Sequence, residues 1–559
     1  MMKNLAFTFG ALVFSTILFA QTPNEGLGNE VITVVREYDP SLSQAFKVPR
    51  NPLMNDTVAM DLKLDYRHIP VVMDVKFEAE PMSAARIART VTEPLYRNTV
   101  KLGMGTYISP NFEFTHTNER SASFNLGARA RWFSSTGRID DRAFSGFNES
   151  GVSLWGDRFY KDITLSARAF YEGERRHYYH QDQPTDADAD SIRQQFSTVG
   201  MSVALVNPSI RPARVYRRSG LSYYHWTDSY NASEDHLKFD LGLGFLVQEE
   251  QVDMDFKLDF NRAFMPSDTS SSVLMELAPV VRSKWGALHF NLGFRPQALI
   301  DMRETTTTTD FRLFPVADVT FRIVDQVLLA YAGLDGGIHQ NTLRDLTREA
   351  PFLNTDVSAY SGDSLSATIE RIRLYGGIKG TLSYQSSFNL YARYRAFKDH
   401  VFFYVPSTEA VTVDTTRLQV VYDNASALEL GGELIYFFAD KFELGVAGQL
   451  NFYATDSLRA PWHIPASELN AHLRYDLGSK IGLELQWFHF GQRTVGITAD
   501  GRERSLPAYN DIQLGAQYNY SKRLSAYLNI RNLLNQSYDL WDGYRAQGIN
   551  VHFGFKYVF

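Results

Sequence analysis

From Gln251 to Asn261 apolar and polar side chains alternate without a break: Val252, Met254, Phe256, Leu258 and Phe260 fall on one phase, Asp253, Asp255, Lys257 and Asp259 on the other. The same rhythm sets Phe388, Leu390, Ala392, Tyr394 and Ala396 against Asn389, Tyr391, Arg393 and Arg395. It returns with Ile512, Leu514, Ala516, Tyr518 and Tyr520 against Gln513, Gly515, Gln517 and Asn519. A period of two places such sets on opposite faces of a β-strand. A soluble sandwich would need a second sheet over every apolar face. The number of these segments, and the charges on their far face, suit a wall with lipid on one side and a water-filled lumen on the other.

The connections carry a second pattern. Very short turns are predicted at Tyr160–Asp162, Glu249–Gln251, Ser283–Lys284, Val324–Gln326, Ala439–Lys441, Gly478–Lys480 and Ser521–Arg523. Long polar connections are predicted at Ser134–Ser150, Gln181–Asp190, Met302–Asp310, Asn341–Asp363, Ala454–His463, Val495–Pro507 and Gln536–Gln547. Outer-membrane barrels have short periplasmic turns and longer extracellular loops, so the last strand, Ile549–Phe559, runs inward. Counting back to the first pair, Val100–Ile108 and Asn111–Thr117, predicts an all-β transmembrane antiparallel β-barrel of about 22 strands, in a range of roughly 18–22, over residues 96–559.

Composition agrees with this. The 30 Tyr and 39 Phe go with a hydrophobic share of only 44%, aromatic-rich yet polar on average, as a wall that is half lipid-facing and half wet requires. Lys and Arg number 56 against 63 Asp and Glu, a balance too even for a nucleic-acid protein. Without cysteine the chain has no disulfide framework, thiolate metal site or catalytic thiol.

Lys3 followed by the apolar run Leu5–Ala20 predicts a secretory signal peptide over residues 1–20. The run is too short for a membrane anchor, and no later window offers the apolar length of a spanning helix. Residues 21–95 then form an N-terminal periplasmic or luminal segment. Pro40, Pro49 and Pro52 interrupt regular structure there, so Asp39–Asn55 reads as an extended connector. The expected location is the outer membrane of a Gram-negative bacterium.

The two ends of the barrel carry a resemblance. In the final segment Val551, Phe553, Phe555, Tyr557 and Phe559 share one face. Phe555, Tyr557 and Phe559 resemble the terminal signal read by the barrel-assembly machinery. Ile530–Tyr538, with Asn532-Leu533-Leu534-Asn535, followed by Gly543-Tyr544 and Gly548, is similar to the closing hairpin of TonB-dependent receptors. Gly103–Tyr107 resembles that family's opening strands. The resemblance implies a receptor-like role in solute uptake, with TonB as a partner. The hexapeptide Glu30, Val31, Ile32, Thr33, Val34, Val35 looks like a TonB box, a strand offered for edge pairing; a plain β segment pairing locally is the other reading. The sequence departs from the family between Gln21 and Arg97, which is shorter than its plug domain and lacks the plug's glycine signatures. That departure keeps a second function open, a non-transporting accessory or structural barrel subunit bound to other subunits of an envelope complex.

Chemistry is sparse. No G-x-S-x-G, phosphate-binding glycine loop or H-E-x-x-H motif occurs, so no enzyme activity and no cofactor are expected. His177 and His180, beside Tyr178 and Tyr179, read as girdle or loop packing. Asp186, Asp188 and Asp190, with Asp182 nearby, are the weak metal candidate. Ser191 and Ser197 stand where a calcium loop needs Gly and Glu, so a solvated acidic loop is expected. Alternation turns Arg129, Arg131, Arg168, Asp253, Asp255, Lys257, Asp259, Arg393 and Arg395 toward the lumen, because charges on the lipid face near the midplane would cost about 2–4 kcal/mol each. They could line a solute path or pair with a luminal segment, but with both signs present they are expected to pair with one another. Trp132, Trp155, Trp487 and Tyr557 are expected in the interfacial girdles, against outer-membrane lipid.

Overall fold

The structure, a computed structural model, describes residues 96–559 except 119–120, 138, 208–214, 248–249, 305, 358–364, 407–415, 439–440 and 498–501. The signal peptide, the 21–95 segment and the TonB-box-like stretch Glu30–Val35 lie outside the described residues. The strands, in order, are β1 (Asn98–Gly105), β2 (Asn111–Thr117), β3 (Phe124–Ser135), β4 (Phe147–Phe159), β5 (Thr164–His177), β6 (Arg193–Val206), β7 (Val215–Thr227), β8 (Ser233–Val247) and β9 (Glu250–Phe264). There follow β10 (Thr269–Trp285), β11 (Leu288–Met302), β12 (Thr307–Val324), β13 (Leu328–His339), β14 (Thr368–Ser383), β15 (Ser386–Tyr404), β16 (Gln419–Phe438), β17 (Phe442–Thr455), β18 (Ser467–Leu477) and β19 (Ile481–Phe490). The last are β20 (Arg493–Ile497), β21 (Glu503–Leu506), β22 (Tyr509–Asn519), β23 (Leu524–Arg531), β24 (Asp539–Trp541), β25 (Tyr544–Arg545) and β26 (Asn550–Val558). One short helix, α1 (Leu343–Glu349), lies between β13 and β14.

Among these, 22 strands form one antiparallel sheet in which each strand pairs with its neighbours in the chain, except that β20–β21 and β24–β25 stand apart as small hairpins. The sheet closes on itself: β26 pairs with β1 from Thr99↔Val558 to Gly105↔His552. Beyond that ladder the Asn98 amide donates to the Phe559 carbonyl at 2.9 Å, and the Phe559 amide returns a bond at 3.0 Å. Closure leaves no sheet edge, the condition for β-structure to cross a bilayer. No helix among the described residues is long and apolar enough to do so.

The outward phase is exposed and greasy: Leu126, Leu154, Met201, Phe294, Leu390, Phe452 and Phe553 stand free on it. Phe256 is one of this set, opposed across the strands by Leu241 and Leu277. Phe256→Arg is expected to cost about 2–4 kcal/mol of barrel stability, as a charge at the lipid midplane does. It reads out as a lower unfolding midpoint of the lipid-reconstituted protein. A change within a few tenths of a kcal/mol would mean that this phase does not meet lipid.

One end of the barrel carries the chain's short turns, among them Gly478–Lys480, where Gly478 takes φ +62°, a left-handed conformation that glycine adopts without cost. The other end carries the long connections. Three details differ from the sequence reading. The connection after β11 is the short turn Arg303–Thr306, not a long loop, because the threonines from Thr307 extend β12 past the apolar belt. β10 runs on to Trp285, so its turn falls at Gly286–Ala287. Trp155 is not an outward girdle residue: Val152 and Leu154 hold the outward phase of β4, and Trp155 lies inside over Gly127, where a Cβ would overlap the indole. Trp132, Trp487 and Tyr557 are outward and exposed.

Candidate functional site, a capped lumen

The nine charged residues singled out above stand on the face opposite the apolar belt, and eight of them meet a charged or ionisable side chain. Arg129 pairs with Glu113 at 2.6 Å and Arg131 with Glu172 at 4.0 Å. Asp253 meets Arg282 at 2.7 Å, Asp255 meets Arg218 at 2.9 Å and Lys257 meets Glu276 at 2.9 Å. Asp259 lies 2.6 Å from His236. Arg393 reaches Glu429 at 2.7 Å, while Arg395 spans Glu370 at 2.6 Å and Glu429 at 3.4 Å. Arg168 instead lies over the Phe170 ring, 5.8 Å from its centroid. Several of these side chains are half exposed, and such pairs contribute only about 0–1 kcal/mol each. The ladder's main effect is thus a wall that is highly polar yet nearly neutral along much of its length.

At the long-loop end the connections fold inward and share a hydrophobic core. Ile139 and Ala143 come from the β3–β4 connection, Tyr178 and Tyr179 from β5–β6, Leu343, Leu346, Phe352 and Leu353 from β13–β14, Val405 and Leu418 from β15–β16, and Tyr544 from β23–β26. Polar contacts tie them together. Tyr178 Oη donates to the Leu353 carbonyl at 3.0 Å, Tyr179 Oη to the Arg545 carbonyl at 3.1 Å, and the Gln181 amide to the Gly543 carbonyl at 3.1 Å. Gly543, at φ +76°, packs so closely under the His180 imidazole that a Cβ there would overlap it. Gln183 Nε2 donates to Thr416 Oγ1 at 3.2 Å, and the Arg417 guanidinium lies over the rings of Tyr178 and Tyr230. The β5–β6 and β15–β16 connections are ten strands apart in a ring of 22, so they rise from nearly opposite walls. Their contact means that the mouth is bridged.

Helix α1 is the best-anchored part of this cap. Thr342 caps it, its Oγ1 accepting from the Asp345 amide at 3.1 Å. Beneath it the fully buried Glu234 accepts from the Leu343 amide at 2.6 Å, from Tyr224 Oη at 2.8 Å and from Asn261 Nδ2 at 3.4 Å. Arg344 and Arg348 both reach Glu172 on the wall, Arg344 at 3.0 Å. On the far side Arg493 donates to the Leu540 and Asp539 carbonyls, each at 2.7 Å. His463, in the β17–β18 connection, bonds the Phe403 carbonyl through Nδ1 at 2.8 Å and accepts the Asp542 amide on Nε2 at 3.3 Å. That pattern fits only a neutral ring.

Burial pulls His463 down to about 3, while burial, reinforced by Asp539 and Asp182, pushes Asp542 up to about 6 against the opposing charge of Arg504. The histidine therefore weakens the cap as pH falls from 6.5 toward 3. The aspartate strengthens it as pH falls from 6 toward 3.8, and over the shared range the two slopes oppose each other. Asp542→Asn removes the second. Its cap is expected to lose up to about 1.4 kcal/mol per pH unit on acidification below pH 6.5, measured as falling protection factors of the loop amides, each rate being divided by the intrinsic rate at that pH, where the wild type stays nearly level between pH 6 and 3.8. Equally level profiles for both proteins would show that His463 does not resist protonation.

Sequence reasoning missed Glu234, Trp226, Tyr224 and the cap cluster. Its signals were there: Thr342 before Leu343 and Leu346, then Phe352-Leu353 and Leu540-Trp541, apolar residues inside supposedly polar connections. His177 and His180 are buried in loop packing, His177 Nδ1 lying 2.6 Å from the Gly146 carbonyl. Of the acidic trio, Asp190 pairs with Arg193 at 2.7 Å and Asp188 closes its own turn. Among the described residues no group of three potential ligands is placed to hold a metal ion. Phe555, Tyr557 and Phe559 are all exposed at the end of the chain, Phe555 and Tyr557 on the outer face of β26.

No protein-family model and no curated protein matches the chain. Solved structures do. The FrpB iron transporter from Neisseria meningitidis, F3-3 variant, superposes with a TM-score of 0.66 at 10% identity, over 84% of this chain and 82% of that one. The siderophore receptor PirA from Acinetobacter baumannii gives 0.63 at 10% identity, over 83% and 80%. The pyoverdine outer membrane receptor FpvA from Pseudomonas aeruginosa PAO1, bound to pyoverdine, gives 0.63 at 12% identity, over 84% and 79%. At these identities the likeness is one of fold: the chain has the 22-stranded barrel of outer-membrane receptors.

Proposed function

We propose that the chain is an outer-membrane, TonB-dependent-receptor-like barrel that takes part in solute uptake, with its own outer loops as the gate. The observation that carries this reading is the contact between loops from opposite walls over a polar, charge-paired lumen. A barrel of this width conducts unless something fills it. A cap built from loops can regulate access, whereas a purely structural barrel has no need of a wet interior. The fold it shares with iron and siderophore proteins supports the same reading. Glu30–Val35 is the segment offered to TonB by strand pairing, and Phe555, Tyr557 and Phe559 are the residues presented to the assembly machinery.

The test uses the full mature protein in detergent. The periplasmic domain of TonB binds it, and Val34→Pro, which removes a ladder donor, abolishes that binding while the barrel keeps its heat-resistant migration. Failure of TonB to bind, together with stoichiometric co-purification of other envelope proteins, would overturn uptake in favour of an accessory subunit.

A further inference from the structure

Beneath the cap, against β15, lies a chamber of about 330 Å³, within the range of small-molecule sites. Its walls are aromatic: Phe397, Phe402, Phe403, Trp462 and Trp541 all line it. Glu349, the last residue of α1, also lines it, with its side chain open to solvent.

The charges around the chamber are nearly all engaged. Arg395 is held by Glu370 and Glu429, His339 lies 3.7 Å from Glu370, and both nitrogens of His463 are bonded. Among the acids Glu349 is the exception, while the His400 imidazole meets only the rings of Phe397, Phe402 and Tyr453. The Glu349 side chain is exposed to solvent, and its carboxylate makes no ion pair or hydrogen bond with any described residue. It also sits where the helix's last carbonyls concentrate negative potential. A second group lacks a partner: Trp462 Nε1 is buried with no acceptor among the described residues. An unmatched acid among aromatic faces, whose π-clouds attract cations, selects strongly by charge. An anion would meet Glu349 uncompensated, and a neutral guest would strip water from the carboxylate and return only a weak hydrogen bond.

We propose that this chamber binds a small organic cation, an amine with an apolar or aromatic body, its ammonium on Glu349 and its body among Phe403, Trp462 and Trp541. The assignment rests on the uptake reading, naming the class of solute that the capped lumen holds.

The test is calorimetric titration of the full-length mature protein in detergent at neutral pH with three isosteric probes: 2-phenylethylamine, 2-phenylethanol and 3-phenylpropanoate. The amine is expected to bind at least about tenfold tighter than the other two, and Glu349→Gln to erase that preference. Glu349 has no partner to lose, so the variant keeps the wild-type unfolding midpoint. Trp462→Phe, which keeps the ring and removes the donor, retains the preference for the amine. Equal binding of the three probes, preference for the carboxylate, no binding of the amine, or an unchanged preference in Glu349→Gln would each overturn the assignment. TonB binding by the same preparations reports on the uptake reading separately, so the two fail independently.

Discussion

Replacing residues 341–366 with a four-residue turn converts a silent barrel into a conducting one. In planar bilayers the intact protein is expected to pass ions at near-background levels, and the variant to open steps larger by at least an order of magnitude. The segment removed contains α1, Phe352 and Leu353, the part of the cap that holds Tyr178 through its carbonyl and fills the space between the β5–β6 and β23–β26 connections. Without it the remaining loops have lost their shared core, and a 22-stranded barrel is wide enough to conduct once nothing occupies it. The barrel itself should survive, since β13 and β14 pair over eleven positions that the change leaves alone. A variant that stays silent, but conducts once residues 21–95 are also deleted, would put the barrier in the N-terminal segment and not in the cap.

Glu234→Ala is expected to release α1 without opening the whole barrel. The carboxylate serves three donors from three elements, and its removal leaves the Leu343 amide and the Tyr224 hydroxyl buried without acceptors. At about 1–3 kcal/mol for each orphaned group, the local cost is about 2–6 kcal/mol. Hydrogen exchange over Leu343–Glu349 should accelerate by two to three orders of magnitude while exchange in β15 and β16 is unchanged. Glu234→Gln keeps an acceptor for the helix amide, and its effect should be much smaller. Equal exchange in all three proteins would mean that the helix is held by its apolar face, Leu343 and Leu346, and not by the carboxylate.

The wall was legible in the sequence because lipid enforces a strict rule: where Phe256 or Leu390 faces hydrocarbon, its chain neighbours must face away, and a period of two results. The rule weakens above the bilayer. Thr307–Thr309 read as a loop, yet they pair with Met302, Asp301 and Ile300, because at the rim an outward face need not be apolar. Trp155 shows the other weakness. A tryptophan suits the girdle by type, but Leu154 next to it already occupied the outward phase, and the phase decides. The candidate site was mostly invisible for a different reason. Gln183 and Thr416 meet across 233 positions of chain, and Glu234 and Leu343 across 109. No local periodicity encodes such meetings; only the closed ring, which brings opposite walls within reach of one another, creates them. The ion pairs fall between. Expecting both signs inside predicted pairing in general, while the choice of Glu429 for Arg393 waited on the strand register.

Among the described residues the cover over the mouth is rooted on seven separate connections, those named above together with β7–β8 through Ala232 and β9–β10 through Met265, and each leans on the others like the stones of a vault. A swing of one loop alone leaves the rest in place, so on the uptake reading proposed above the opening has to be concerted. Such a cover is expected to show a low resting leak and a steeply temperature-dependent opening rate in bilayer conductance. An outside binder, antibody or toxin, that grips only two of these connections would jam all of them, which makes the outer surface of this vault a lever on the whole molecule.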